Sequence, residues 1–215
     1  SRNAANVLNN MAIVARLQGD YARSRALHEE ALAIRRALDD RWAIATSLNN
    51  LGNVLTDLGE LAAAQRHLDE AVAIQREIGD KWYTANALNN LANVVREVGD
   101  YGRAAQLYAD SLRINRDLDD KWALAYLLED VAALTAVRPA ADGPLAMRLA
   151  LRLAGAAAAV RADISAPLSA VEQGKLERRL APARDQLGEQ ADAAWQEGEG
   201  LGLETAVAEA LDGLM

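Results

Sequence analysis

Nearly the same short sequence recurs along this chain at a spacing of 40 residues. Leu-Asn-Asn stands at 8–10, 48–50 and 88–90, and a weaker fourth copy, Leu-Glu-Asp, stands at 128–130. A fixed period of about 20 to 50 residues is typical of stacked supersecondary units, none of which can bury its apolar face alone. The period therefore predicts a repeat array, whose function lies on a surface that the units share.

Each unit has the spacing of two helices joined by a tight turn. Between Ala45 and Leu55, apolar or small residues recur three or four positions apart, as on one face of a helix. Gly59-Glu60 interrupts this pattern, and a second apolar stripe follows from 61 to 78. Asp40, Asp80 and Asp120 are placed to cap the N-terminus of the next unit's first helix.

Two classes of helical repeat fit a 40-residue period: HEAT or armadillo units, and tetratricopeptide units, which usually have about 34 residues. The local spacing Leu48-x2-Leu51-Gly52-x2-Leu55 favours the tetratricopeptide pattern, with six extra residues and no terminal proline as departures. Small residues such as Gly52 fall where paired helices must approach closely. We predict an all-α fold, an α-solenoid of tetratricopeptide-like helix-turn-helix repeats with a C-terminal helical cap.

The repeats decay toward the C-terminus. A proline-bracketed loop is expected at 138–144, a helix near Leu145, and helical patterns follow at 168–187, 188–197 and 203–214. Solenoids need an atypical terminal unit to cover the last apolar face. The predicted organisation is repeat 1 at 1–40, repeat 2 at 41–80, repeat 3 at 81–120, a degenerate repeat 4 at 121–162, and a helical cap at 163–215.

Charge and composition exclude several partners. The 215 residues carry a net charge of −8, which opposes the phosphate backbone of nucleic acids. No apolar run is expected to reach the roughly 20 residues of a membrane span, and no charged-then-apolar leader opens the chain. We therefore expect no direct nucleic-acid contact, no membrane and a cytoplasmic location.

The sequence offers no catalytic, metal or cofactor site. There is no cysteine, and the two histidines, His28 and His67, lie in different units without a nucleophile or third partner in register. Gly198-Glu199-Gly200 follows a helix and carries a carboxylate that would repel phosphate, so we interpret it as a hinge. We expect no enzyme activity.

The chain resembles the C-terminal arm of large bacterial signal-transduction ATPases of the STAND type, found in actinobacterial LuxR-type and SARP-type transcriptional regulators. The resemblance rests on Ala-Leu-Ala-Ile-Arg-Arg-Ala-Leu-Asp-Asp-Arg at 31–41, on the repeated Leu-Asn-Asn-Leu, and on the tail at 193–211. It implies a longer parent chain with a DNA-binding head and a nucleotide switch, of which this segment is the signal-sensing arm. The long units are also similar to those of kinesin light chain and the mitotic-orientation adaptors, whose asparagine-lined grooves hold extended peptides.

A ladder of asparagines is the candidate binding site. Asn49 and Asn53, like Asn89 and Asn93, are four residues apart and share one helix face. Amides both donate and accept, so a ladder of them in a concave groove can hold a peptide backbone. The predicted peptide-binding residues are Asn9, Asn49, Asn53, Asn89, Asn93, Arg16 and Arg96. The alternative is that the amides only solvate the groove or bridge adjacent helices, which we favour for Asn10, Asn50 and Asn90.

The tryptophans are expected to be structural. Trp42, Trp82 and Trp122 each precede a small residue of the inward stripe by three positions. A periodic aromatic is more often part of a core than of a stacking surface, so we expect the three rings to be buried as wedges between units.

The function predicted from the sequence is a non-catalytic protein- or peptide-binding sensor arm of a bacterial signalling or transcriptional regulator. Two alternatives stay open: a stand-alone adaptor, and an enzyme that uses the groove as its active site. The helix at 3–18 presents Val7, Leu8 and Met11 with no preceding unit to cover them. We therefore expect weak self-association through residues 1–38.

Overall fold

The computed structural model describes residues 1–138 and 143–215. Within those ranges the chain forms eleven α-helices and no strand, which confirms the all-α class. The helices are α1 Arg2–Leu17, α2 Tyr21–Ala37, α3 Arg41–Asp57, α4 Leu61–Ile78, α5 Lys81–Val98, α6 Tyr101–Asp117, α7 Lys121–Val137, α8 Gly143–Asp163, α9 Ala170–Leu187, α10 Ala191–Glu199 and α11 Leu203–Leu214. A short 3-10 turn, Gly188–Gln190, precedes α10. Residues 139–142 of the predicted loop lie outside the described residues.

The helices group into two compact units, one of residues 1–100 and one of residues 101–215. Unit 1 holds α1 to α5, and unit 2 holds α6 to α11. The boundary falls inside the third predicted repeat. The division into four repeats and a cap therefore stays a prediction, although the helices alternate with the expected turns.

The predicted helix caps are present. The carboxylates of Asp40, Asp80 and Asp120 accept hydrogen bonds from the backbone N–H three residues further on, at 3.2, 3.1 and 3.0 Å. Each satisfies a backbone donor that has no partner inside the helix. The 40-residue period of these aspartates therefore sets where α3, α5 and α7 begin.

Leucines form the core of unit 1. Leu48 and Leu88 are fully buried at equivalent positions of α3 and α5. A Cβ atom on Gly52 would lie 2.5 Å from Leu68 Cγ, so a larger residue here would displace the buried Leu68 side chain of α4. This confirms the close approach that the sequence predicts at Gly52.

Two glycines bring α8 and α10 into backbone contact in unit 2. A Cβ atom on Gly155 would overlap the carbonyl oxygen of Trp195, and one on Gly198 would overlap that of Arg152. Gly198 is helical and buried. The interpretation of Gly198 as part of a hinge is therefore wrong, because this glycine is required for close helix packing.

By length and composition alone, α8 is long enough and apolar enough to cross a membrane, although Arg148 and Arg152 divide it into shorter apolar runs. This helix has 21 residues and a mean hydropathy of 1.2 over its most apolar window, half of which is buried inside the protein. Its alanines raise the hydropathy although they are small. Core helices that never enter a membrane meet the same criteria of length and composition.

Candidate peptide-binding face

The predicted ladder lies in unit 1 on α1, α3 and α5, the first helix of each repeat. The four-residue spacing places Asn49 and Asn53 on one face of α3, and Asn89 and Asn93 on the equivalent face of α5. Asn9 of α1 is buried and the other four are half-buried. We call the surface formed by these five residues the asparagine face.

Some side-chain amides of this face form hydrogen bonds between neighbouring repeats. Asn50 Nδ2 donates to Asn9 Oδ1 at 3.1 Å, and Asn90 Nδ2 donates to Asn49 Oδ1 at 3.0 Å. Asn49 Nδ2 in turn donates to Asn86 Oδ1 at 3.2 Å. Asn50 and Asn90 therefore each link their helix to the preceding repeat, as expected. The predicted ladder residues Asn9 and Asn49 are partners in the same links.

Asn89 retains an unused acceptor. Its Oδ1 is enclosed and accepts no hydrogen bond from the residues that the structure describes. An enclosed acceptor without a donor costs about 1–3 kcal/mol, and such groups are rare in native proteins. Because this oxygen is enclosed, the Asn89 amide must turn outward before a donor from outside can reach it.

The two predicted arginines are already paired with acids. Arg16 Nε donates to Asp57 Oδ2 at 2.5 Å, and Arg96 Nη2 donates to Glu97 Oε1 at 3.2 Å. Arg96 is buried, whereas Arg16 is half-buried. Each cation is compensated locally, so the asparagine face does not present a strong positive charge.

His28 of α2 is a site residue that the sequence analysis did not assign. It is buried and lines a cavity of about 50 Å³ together with Arg16, Asn50 and Asn53. Burial, and then the cationic Arg35 and Arg16, lower the pKa of His28 to about 4. Its Nδ1 has no partner among the described residues. The sequence did carry a signal for His28: the equivalent position of the next repeat, 40 residues on, holds the apolar Leu68.

Arg35 is a second unassigned residue, and it holds unit 1 together from inside. Its Nη1 donates to Ser47 Oγ at 2.6 Å and to the Ala43 carbonyl at 3.2 Å, and its Nη2 donates to Asn6 Oδ1 at 3.1 Å. Burial lowers the pKa of Arg35. The sequence signal was again the period: the residue 40 positions on, Gln75, is also polar and buried.

The expectation that the tryptophans are buried wedges is wrong. Trp42, Trp82 and Trp122 are 42%, 48% and 53% exposed. Tyr83 packs edge-on against both Trp42 and Trp82, at 4.9 and 4.8 Å between ring centroids, while Trp122 lies 4.4 Å from Tyr126. Each tryptophan is the second residue of its helix, and its ring packs against a tyrosine while about half of its surface stays exposed.

Comparison with known proteins identifies the repeats. The family model described as tetratricopeptide repeat matches residues 3–77 and 43–117, which together cover more than half of the chain. No curated protein matches the chain.

Solved structures share the fold at low sequence identity. BtubC (BKLC) from P. vanneervenii superposes with a TM-score of 0.66 at 18% identity, over 96% of this chain and 78% of that one. A putative kinesin light chain with nearly identical TPR-like repeats from Podosopora anserina gives a TM-score of 0.61 at 17% identity, over 98% and 96% of the two chains. These matches confirm the predicted solenoid class of tetratricopeptide-like repeats. The chain belongs to the tetratricopeptide repeat family.

Proposed function

We propose that this chain is the non-catalytic protein- or peptide-binding arm of a bacterial signalling or transcriptional regulator, and that its asparagine face holds an extended partner segment. Tetratricopeptide repeats indicate a protein–protein interaction scaffold. The observation that carries the proposal is that half-buried amides share equivalent faces of two helices, Asn49 and Asn53 on α3 and Asn89 and Asn93 on α5. Such amides can donate to and accept from the backbone of an extended segment, and an outward turn of the Asn89 amide would give its unpaired Oδ1 a donor.

The chemistry of the face favours recognition of a neutral backbone. Amide side chains both donate and accept, as a peptide bond does. The nearby cations Arg16 and Arg96 are paired with Asp57 and Glu97, so charge contributes little to selection. The cavity beside His28 has the volume for one water molecule or the tip of a small side chain.

The test begins with identification of a partner segment by affinity capture from the native cell lysate and mass spectrometry. A synthetic peptide of that segment is then titrated calorimetrically against the full chain and against Asn53→Ala/Asn89→Ala. At about 1–3 kcal/mol for each lost amide contact, we expect the affinity to fall tens-fold or more.

Asn10→Ala is the matched control, because Asn10 is an exposed amide on α1 outside the asparagine face. Its affinity should equal that of the wild type. Unchanged binding in the double variant, with its helical content and melting temperature intact, would rule out the asparagine face as the peptide site.

The regulator context rests on the sequence resemblance and needs a separate test. A nucleotide-binding domain encoded upstream of Ser1 in the natural reading frame would support it, and a reading frame without one would favour the stand-alone adaptor. The enzyme alternative predicts a reproducible turnover in a broad substrate screen, lost in Asn53→Ala/Asn89→Ala.

A further inference from the structure

Unit 2 contains a cavity of about 550 Å³ that has no role in the proposed peptide binding. Helices α8, α9 and α10 surround it, and α7 contributes Glu129. Its apolar walls come mainly from Ala154, Ala158, Leu176 and Leu180. Pockets of about 300–1,000 Å³ with mostly apolar walls and a few polar groups are typical small-molecule sites.

The sequence explains why space remains here. α8 presents alanines at four-residue spacing, at 154, 158 and 162, so its wall has short side chains. α9 has 18 residues, of which only Leu180 and Ala183 are buried. A helix with this few buried residues does not fill the volume that the alanines leave. An apolar occupant would recover the dispersion contacts that the cavity lacks.

Arg161 holds the buried carboxylate of Glu129 in a fixed position, where it can accept a hydrogen bond from a ligand. Arg161 donates from Nε to Glu129 Oε1 at 2.5 Å and from Nη2 to Oε2 at 2.9 Å. It also donates from Nη1 to the Ala166 carbonyl at 3.2 Å and stacks 4.0 Å from the ring centre of Tyr126. The guanidinium is thus held by protein groups. The Glu129 carboxylate has about four acceptor positions, of which Arg161 uses two.

The outer charges of the cavity are also paired. Arg184 donates to Asp192 at 3.3 Å and lies 5.4 Å from the ring centre of Trp195. Gln173 donates to Glu177 at 3.2 Å. With its cations already bound to acids, the cavity offers no uncompensated positive charge to an anion, and its Glu129 favours a donor.

We propose that this cavity binds a neutral, largely apolar small molecule whose hydroxyl or amide N–H donates to Glu129. Apolar walls select the body of the ligand, and the carboxylate held by Arg161 selects its single donor. α9 forms the outer wall, so bound ligand adds contacts to the least buried helix of the three. The proposal is independent of peptide binding by unit 1.

The probe is 2-naphthol, with naphthalene as the analogue without a donor and 2-naphthoate as the anionic analogue. Each is titrated into the full chain and followed by ligand-observed NMR. We expect 2-naphthol to bind at least tenfold more tightly than either analogue. Ala158→Phe fills the cavity from α8 and should weaken 2-naphthol at least tenfold.

Ala159→Phe is the matched control, because Ala159 is the next residue of α8, is equally half-buried, and does not line the cavity. It should bind 2-naphthol within twofold of wild type. Leu176→Trp fills the cavity from the half-exposed side of α9 and repeats the test if Ala158→Phe melts early in circular dichroism. The proposal is overturned if no probe binds, if Ala158→Phe or Leu176→Trp binds as well as wild type, or if 2-naphthoate binds more tightly than 2-naphthol.

Discussion

Equivalent helix positions carry neutral amides in unit 1 and carboxylates in unit 2. Asn49 and Asn89 of unit 1 correspond, at 40-residue spacing, to Glu129 of unit 2, and Asn90 corresponds to Asp130. In unit 1 the amides bond to amides of the neighbouring repeat. In unit 2 the carboxylates bond to arginines, Glu129 to Arg161 of α8 and Asp130 to Arg179 of α9 at 3.5 Å.

This difference explains why one face stays open and the other is covered. A neutral amide can hydrogen-bond to an amide of the neighbouring repeat, so the repeat itself supplies the partner. A buried carboxylate needs a cation, and here the cations come from helices that pack beside α7. In unit 1 the period builds a face with polar capacity left for a partner. In unit 2 the loss of the period brings α8 and α9 over the same positions.

The strongest test of this contrast removes the buried cation. In Arg161→Ala the Glu129 carboxylate stays buried without its partner, so we expect a loss of about 3–5 kcal/mol in the free energy of unfolding. Asn90→Ala removes a neutral amide link of unit 1 and should cost about 1 kcal/mol. Thermal melts, with hydrogen exchange to assign the loss to unit 2, measure both.

The double variant Arg161→Ala/Glu129→Gln is the control for an uncompensated charge. Glutamine is neutral, so it should recover part of the lost stability. If Arg161→Ala costs no more than Asn90→Ala, the ionic pair does not hold the covered face and the comparison fails.

The second test measures how the stability of unit 1 depends on pH. The pKa of His28 is about 4 in the folded protein, below its ordinary value of 6.5. The unfolded chain therefore binds a proton between pH 6.5 and 4 that the folded chain does not. The stability associated with His28 is complete above pH 6.5 and falls by about 3 kcal/mol as the pH approaches 4.

His28→Leu isolates this effect, because leucine is the residue that repeat 2 carries at the equivalent position, Leu68. Chemical unfolding of both proteins at several pH values gives the difference, and other titrating groups cancel. We expect the two curves to diverge only below pH 6.5. Parallel curves down to pH 4 would mean that His28 protonates freely in the folded state.

The fold could be predicted because its determinants are local and repeated. Asp40 and its equivalents cap helices through a bond to the backbone three residues on, and a glycine such as Gly52 marks a close approach wherever it falls in register. The tryptophans could not be placed in the same way. A helical stripe gives the side of a helix but not the reach of a ring at its first turn, which depends on Tyr83 of the neighbouring helix.

The sites were predictable only in part. The spacing of Asn49 and Asn89 identified a shared helix face, but the pairing of Asn90 with Asn49 depends on how far adjacent repeats are shifted. The cavity in unit 2 had only a partial sequence signal, the alanines of α8 at 154, 158 and 162, because its volume also depends on the separation of α8 from α9. His28 was visible as a polar residue in an apolar register, but only its surroundings show that it stays neutral.

The third test concerns the tryptophan positions that both units share. Trp82 is half-exposed and contacts Tyr83 edge-on, so Trp82→Ala should cost about 1 kcal/mol. Leu88→Ala, in the core of the same helix, should cost about 2–5 kcal/mol. In unit 2, Trp122→Ala should lower the stability by about as much as Trp82→Ala does in unit 1. Melting temperatures rank the variants, and a Trp82→Ala loss equal to that of Leu88→Ala would restore the buried wedge.

The smallest expected effect is self-association through the uncovered flank of α1. Val7, Met11 and Val14 are exposed there, and with Asn10 they line an open hollow of about 490 Å³. At the equivalent positions of α7 in unit 2, Leu127, Val131 and Leu134 are buried. Because a contiguous exposed apolar surface favours association, we expect a weak dimer at high protein concentration.

Light scattering over a concentration series measures the dimer, and Met11→Glu should abolish it by placing a charge in the apolar hollow. Leu118→Glu, a matched change at an exposed apolar residue of unit 2, should leave the dimer unchanged. Equal loss in both variants would point to general charge repulsion, and a monomer at every concentration would show that exposed Val7 and Met11 do not suffice for association. Either result would mean that the two units differ in what covers their helices but not in their tendency to bind another copy.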